Sequence, residues 1–426
     1  MHVYILFGLF FFLMIIGTPI AVALGGSTFL TLVMFTGLSP SEISSMLFEK
    51  IDSYSLMAIP MFILAGNLLS KGSASKRIID FAKSAVGHLP GGLPISAIFA
   101  SIIFAAVSGS SPATVVAIGS IMFAAIQEAG YPKRYAIGTI ATSGSLGILI
   151  PPSIVMIVYG VTAEQSIGKL FMAGVIPGFL LGGMLIAVTY IGAKKLGFKK
   201  TEPAPFKERM AKLKDASWAL MTIVIVIGGI YGGIFTPTEA AAVAAVWAFF
   251  VSWIIYKDVS LKDFYPIILE SAKTAAMIMF VIANAMLFAH FLTLENVPQQ
   301  ITEALVNAHV GKIVFLLLIN ILLIIAGSFM EPSAIIMILV PLLLPVATAL
   351  GVNPIHLGII ITVNMEIGMV SPPVGLNLFV TSGITGFNIK DVIIYTLPWT
   401  LTLLVGLAIV TYIPIISLWL PNIMYG

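Results

Sequence analysis

Residues 141–153 read Ala141-Thr142-Ser143-Gly144-Ser145-Leu146-Gly147-Ile148-Leu149-Ile150-Pro151-Pro152-Ser153. Residues 364–375 read Asn364-Met365-Glu366-Ile367-Gly368-Met369-Val370-Ser371-Pro372-Pro373-Val374-Gly375. Each stretch lies inside a long apolar run and carries adjacent prolines. Proline donates no backbone hydrogen bond and drives the residue before it out of the helical region. A helix with this sequence breaks partway, and carbonyls near Gly147 and Gly368 lose their helical partners. Such breaks are tolerated at membrane depth where protein or trapped water satisfies the freed groups. The two stretches therefore predict two broken membrane helices, at 134–160 and 354–382.

The composition agrees with a membrane setting. The chain has 426 residues, 59% of them hydrophobic and 9% charged, against about 25% charged in a typical soluble domain. It has no cysteine, which excludes disulfides, cysteine-ligated metals and iron–sulfur clusters. No Walker A loop or HExxH motif is present, which argues against an ATP-driven pump or a zinc enzyme. Apolar runs predict membrane segments near 3–36, 53–71, 93–129, 134–160, 169–193, 217–235, 238–256, 273–293, 311–350, 354–382 and 391–420. The first reads as one retained helix kinked at Gly17-Thr18-Pro19.

Two runs, 93–129 and 311–350, are long enough to enter the bilayer and return. With both as re-entrant hairpins, nine crossings remain and the basic residues sort sharply. Eighteen Lys and Arg fall on one side, eight of them in the linker 194–214, and only Lys50, Lys169 and Lys312 fall on the other. The rich side is cytoplasmic, which puts the first residues inside and the last outside. The basic linker reads as a solvated loop joining two halves rather than a nucleic-acid patch. Three polar, amphipathic patches, 39–50, 73–85 and 258–272, read either as interfacial arms or as plain loop helices.

The two halves share punctuation. Ser111-Pro112 answers Glu331-Pro332, Tyr131-Pro132 answers Asn353-Pro354, and Pro151-Pro152 answers Pro372-Pro373. Gly147 answers Gly368, Lys169 answers Lys390, and Pro177 answers Pro398. This predicts an all-α polytopic protein of inverted repeats: 1–193, a linker and connecting helix 194–237, and 238–426. Matched interruptions in inverted halves point to a transporter's binding site.

The hairpin tips read Val107-Ser108-Gly109-Ser110-Ser111-Pro112-Ala113-Thr114 and Ala326-Gly327-Ser328-Phe329-Met330-Glu331-Pro332-Ser333. Gly ends one arm, and Pro opens the next. A helix N-terminus left at depth favours an anion, while carbonyl, Ser, Thr and Asn oxygens suit a small hard cation. The simplest arrangement sets each tip against its own broken helix, with one cation site per repeat and solute between. Helix packing is the competing role for Ser108, Ser110 and Ser111, and equally for Thr142, Ser143 and Ser145. Glu331 reads as a cap or an ion ligand, and Glu366 as a carboxylate on a cation or proton path. Asn67 and Asn284 read as helix braces.

Taken together, Ser108-Gly-Ser-Ser-Pro-Ala113, Gly144-Ser-Leu-Gly-Ile-Leu-Ile-Pro-Pro152 and Met330-Glu-Pro332 resemble the large membrane (M) subunit of tripartite ATP-independent periplasmic (TRAP) transporters. The resemblance covers essentially the whole chain. It implies sodium-coupled uptake of an organic acid by an elevator movement, in the bacterial inner membrane. It also implies two partners: a small four-helix membrane subunit and a periplasmic substrate-binding protein. By the same resemblance, Na+ would meet Ser108, Gly109, Ser110 and Ser111 with Thr142, Ser143, Gly144 and Gly147. A second ion would meet Gly327, Ser328 and Glu331 with Asn364 and Gly368. Substrate would lie near Ser111, Pro112, Thr114, Ser145, Pro151, Glu331, Pro332, Ser371 and Pro372. Sialic acid is the favoured solute, with a C4-dicarboxylate as the alternative. A channel or a membrane-embedded enzyme subunit is the rival class. No Arg occurs in the four segments, so no bidentate carboxylate clamp is visible.

Overall fold

A computed structural model describes residues 2–425, and these are helical throughout, with no strand among the described residues. Nine helices among them are long and apolar enough to cross a membrane. Their apolar side chains point outward in quantity (Val224, Val246, Leu317 and Val405 are all exposed), as lipid contact requires.

The first apolar stretch departs from the sequence reading. It forms two helices, α1 (His2–Ile15) and α2 (Ile20–Phe35), joined through Gly17 at φ +84°. The ring of His2 stacks on that of Phe35 with centroids 4.5 Å apart, so the pair folds back on itself. The His2 Nδ1 also lies 3.0 Å from Glu295 Oε1, at the outer end of a later helix. The stretch is thus a helical hairpin whose open end, at His2 and Phe35, lies beside Glu295. Proline and a left-handed glycine make a turn here, not a kink. No Lys or Arg precedes Lys50, so the charge bias is untouched by the change.

Local sequence sets the next helices. Ser39 and Glu42 form a reciprocal capping box that starts α3 (Pro40–Ile51). Then follow α4 (Ala58–Lys71) and the amphipathic α5 (Ala74–Val86). The first hairpin is α6 (Gly92–Ser108) and α7 (Ser111–Glu128). The first broken helix is α8 (Lys133–Ser145), a 3-10 turn to Ile148, and α9 (Ile154–Thr162). Long α10 (Ile167–Lys195) closes the half, with Pro177 inside it.

The chain after α10 is again all helix. It begins with α11 (Phe206–Tyr231) and α12 (Pro237–Phe250), the latter opened by a Thr236/Glu239 capping box. A further box, Ser260/Asp263, opens α13 (Leu261–Leu294). The patch 258–272 is therefore no separate arm; it is the start of one 34-residue helix. An amphipathic helix absent from the sequence reading, α14 (Val297–Asn307), comes next. The hairpin α15 (Lys312–Phe329) and α16 (Pro332–Ala349) follows. The broken helix is α17 (Pro354–Gly368) and α18 (Leu376–Thr385), then α19 (Ile389–Tyr412). The last run ends at Tyr412 rather than 420. Pro414 turns the chain into a separate helix, α20 (Ile415–Tyr425), which packs against the start of α10.

The helices form two groups. In one, α4 packs along α12 and α13, and α13 along α2. In the other, hairpins and broken helices pack with α10 and α19. Arm α5 bridges α11 and α6, and arm α14 bridges α13 and α16. Asn67 braces its helix by donating to Ser271 Oγ (2.9 Å). Asn284 donates to Phe280 O in its own helix (2.8 Å) and closes on Gly25 of α2.

Candidate functional site

The first tip sits on the first break. Ser108 ends α6, Gly109 turns the chain at φ +60°, and Ser110 leads into α7. A Cβ on Gly109 would come within 2.8 Å of Pro152 O, and one on Gly147 within 2.6 Å of Ser110 O. Only bare glycine permits both approaches. The tip thus lies at the middle of the segment 133–162, about 20 Å along it from Lys133 at 1.5 Å per residue. Within the tip, Thr114 Oγ1 donates to Ser110 O (2.8 Å) and lies 2.9 Å from Ser108 Oγ. No side chain caps the N-terminus of α7, where Pro112 has no N–H and the N–H of Thr114 bonds to Ser110 O.

The second tip sits on the second break in the same way. Gly327 and Gly368 meet backbone to backbone, and a Cβ on Gly368 would lie 2.6 Å from Gly327 Cα. The carbonyl of Ser328 accepts from the N–H groups of Val374 and Gly375, both at 3.1 Å. This tip differs at its helix start. Glu331 caps α16, accepting from Ser333 N (2.8 Å), Ala334 N (3.2 Å) and Ser333 Oγ (2.8 Å). The alternative left open in the sequence is thereby narrowed: Glu331 caps its own arm. Both breaks carry a cis Pro-Pro bond, 151–152 and 372–373.

Other predicted residues have helical neighbours. Thr142 Oγ1 donates to Gly138 O within its own helix, and Ser143 Oγ donates to Ser101 Oγ of α6 and so joins two helices. Gly144 lets Val115 of α7 close on α8. Ser371 Oγ donates to Ile367 O, and the freed carbonyl of Gly368 takes the N–H of Ser371. Pro112 and Pro332 occupy the first turns of α7 and α16. Ser145 reaches the other half: its Oγ lies 3.0 Å from Glu366 Oε1. Asn364 donates to Asn320 Oδ1 (2.7 Å) and Ile360 O, while its own Oδ1 is buried without a partner.

Two residues at this centre were missed. Asn320 of α15 links Asn364 to Thr411 Oγ1 of α19. Asn377 of α18 donates to Ser111 Oγ (2.7 Å), across the halves. Neither has a polar counterpart at the matched offset, so the repeat could not flag them. An amide inside an apolar run was the one available signal.

No cluster of three His, Cys, Asp or Glu exists among the described residues. A cation at the first tip would be held by neutral carbonyl, hydroxyl and amide oxygens, whereas the second tip also carries the Glu331 carboxylate. The orphaned Asn364 Oδ1 beside the second tip fits such an ion.

The fold defines a class: a multi-pass helical membrane protein with two helical hairpins, each seated on a broken helix. The chain belongs to the family described as "Tripartite ATP-independent periplasmic transporter, DctM component", whose sequence profile matches residues 7–416. The C4-dicarboxylate TRAP transporter large permease protein DctM of Pseudomonas aeruginosa is 52% identical over 94% of both chains. That of Rhodobacter capsulatus is 48% identical over the full length of both. The sialic acid TRAP transporter large permease of Vibrio cholerae is 36% identical over 93% of both. Among solved structures, the Alcanivorax borkumensis YdaH transporter matches with a TM-score of 0.65 at 16% identity, over 89% of this chain and 88% of that one. That last likeness concerns the fold alone. The preference for sialic acid is not supported, because the dicarboxylate members are the more similar relatives.

Proposed function

We propose that this chain is the large permease subunit of a sodium-coupled C4-dicarboxylate importer that works by an elevator movement. The observation that carries this is the seating of each hairpin tip on its own broken helix. That seating brings the oxygens of each tip against its own break, and the uncapped N-terminus of α7 adds an end suited to an anion. In this reading, Ser108–Ser111 with Gly147 hold one ion, and Gly327, Ser328 and Asn364 with Gly368 hold the other. Bound sodium supplies positive charge beside the solute and a share of the driving force. The chain's own groups do the rest: the N–H groups of α7 orient one carboxylate, and Glu331 keeps the equivalent end of α16 filled.

The halves are inverted repeats in this reading, with a boundary revised from the sequence. Thr18-Pro19 answers Thr236-Pro237, and the Ser39/Glu42 box answers Ser260/Asp263, so α1–α10 corresponds to α11–α19. With the first residues outside, five crossings per half invert the second copy without a spare helix. The group containing α2, α4, α12 and α13 is the frame. The tips and broken helices form the moving body, and the arms α5 and α14 tether it.

The partners are a small membrane subunit and a periplasmic binding protein that delivers the acid. The test is uptake of a labelled C4-dicarboxylate by proteoliposomes holding all three components. Uptake is expected to require a sodium gradient and to resist competition by sialic acid. Full uptake in choline at fixed pH would refute sodium coupling, and equal competition by sialic acid would refute the solute class.

A further inference from the structure

The side chain of Asn377 is fully buried in α18, and its Nδ2 is committed to Ser111 Oγ (2.7 Å) and Ala141 O (3.5 Å). Its Oδ1 is buried with no partner. One turn on, Thr381 is also fully buried, and its Oγ1 has no partner either. Residues four apart share a helix face, and α18 packs on α7 and α8 of the first half. Two orphaned oxygens of the second half therefore line the seam beside the first tip.

We propose that Asn377 and Thr381 supply side-chain oxygens to the cation site of the first tip, so that this site is completed by the opposite half. The inference rests on the sodium reading above and adds ligands to it. The large majority of buried polar side-chain atoms in native proteins are paired, with protein or with water, so two orphans on one face leave a place for a ligand. Asn377 turns its Nδ2 to Ser111 Oγ and Ala141 O, which leaves its Oδ1 and Thr381 Oγ1 as the unpartnered oxygens of this face. None of the ion pairs among the described residues lies there. The C-termini of α6 and α8 and the N-termini of α7 and α18 converge near this point, so their end charges oppose one another. The side-chain oxygens then decide the sign. Neutral oxygens suit a monovalent hard cation rather than calcium or magnesium, whose sites draw on several carboxylates, and Glu366, bonded to Ser145 one turn from Ala141, is a single one. A ligand shared between halves would also make ion binding join the two broken helices into one body.

The experiment measures sodium-dependent thermal stabilisation of the purified full-length permease, titrated with sodium chloride against choline chloride at fixed ionic strength. Wild type, Thr381→Val, Asn377→Ala and Asn364→Ala are compared. Thr381→Val is the decisive variant, because it keeps the shape and removes an oxygen with no protein partner. In choline it should melt at or above the wild-type temperature. In sodium its apparent sodium constant should rise roughly tenfold or more. Asn377→Ala should weaken sodium in the same way, and its folding is checked by its melt in choline. Unchanged sodium constants in Thr381→Val would overturn the proposal and assign the orphans to buried water. In that case a sodium response that persists in wild type and weakens in Asn364→Ala leaves the sodium reading standing. No sodium response in wild type would overturn both.

Discussion

Placing a methyl group on Gly147 tests the central contact directly. The new Cβ would lie 2.6 Å from Ser110 O, 2.8 Å from Ser110 C and 2.9 Å from Ser111 Cα, all of them backbone atoms. Real Cβ atoms essentially never approach below 3.0 Å, so the tip must retreat by at least about 0.4 Å. Side-chain rotation cannot relieve it. Overpacking of this kind costs about 1–3 kcal/mol. If the strain falls on the seated state, its population drops by roughly tenfold per 1.4 kcal/mol. Gly183 of α10 is the control, because a Cβ there meets nothing within 4 Å. Alanine at a free helical position stabilises by roughly 0.5–1 kcal/mol. Gly147→Ala should therefore reduce dicarboxylate uptake in proteoliposomes by roughly tenfold or more, with a lower melting temperature, while Gly183→Ala matches or exceeds wild type. If both variants transport and melt alike, the first tip does not rest on the first break and the account fails.

Gly368→Ala should behave as Gly147→Ala does, since its Cβ would stand 2.6 Å from Gly327 Cα; normal uptake would unseat the second tip. The chain lacks cysteine, so His2→Cys provides a single label; an impermeant maleimide should reach it from the periplasm, and labelling only after lysis would restore a single first crossing. Ser145→Ala leaves Glu366 without its recorded partner and should lower stability by about 1–3 kcal/mol in a detergent melt, whereas an unchanged melt would show the contact to be idle. His88, in the loop before α6, has its imidazole pKa held below 6.5 by burial, with Arg209 and Lys200 adding to it. Because the folded form prefers the neutral ring, stability should be full above 6.5 and fall as pH drops below it. His88→Asn should remove that part of the acid response, and an identical pH profile would count against it.

Much of this architecture was legible because its signals are local. Pro151-Pro152 and Pro372-Pro373 break a helix wherever they occur, since a missing donor and a ring clash need no tertiary partner. The Ser-Pro and Glu-Pro tips start helices for the same reason, and the uneven placement of lysine and arginine is set by the membrane itself. Capping boxes at Ser39, Thr236 and Ser260 are equally local. Tertiary structure decided what distance along the chain conceals. The reversal at Gly17-Thr18-Pro19 depends on His2 finding Phe35 and Glu295, and an apolar run of that length serves a kink or a hairpin equally well. The long α13 hid an arm boundary, because a helix continues through a polar patch when its neighbours support it. Asn377 and Asn320 owe their place at the centre to packing between halves, and no repeat or spacing rule relates residues 111 and 377. A single chain fixes its own breaks through bonded geometry, but which oxygens meet across the halves follows only from how those breaks are packed together.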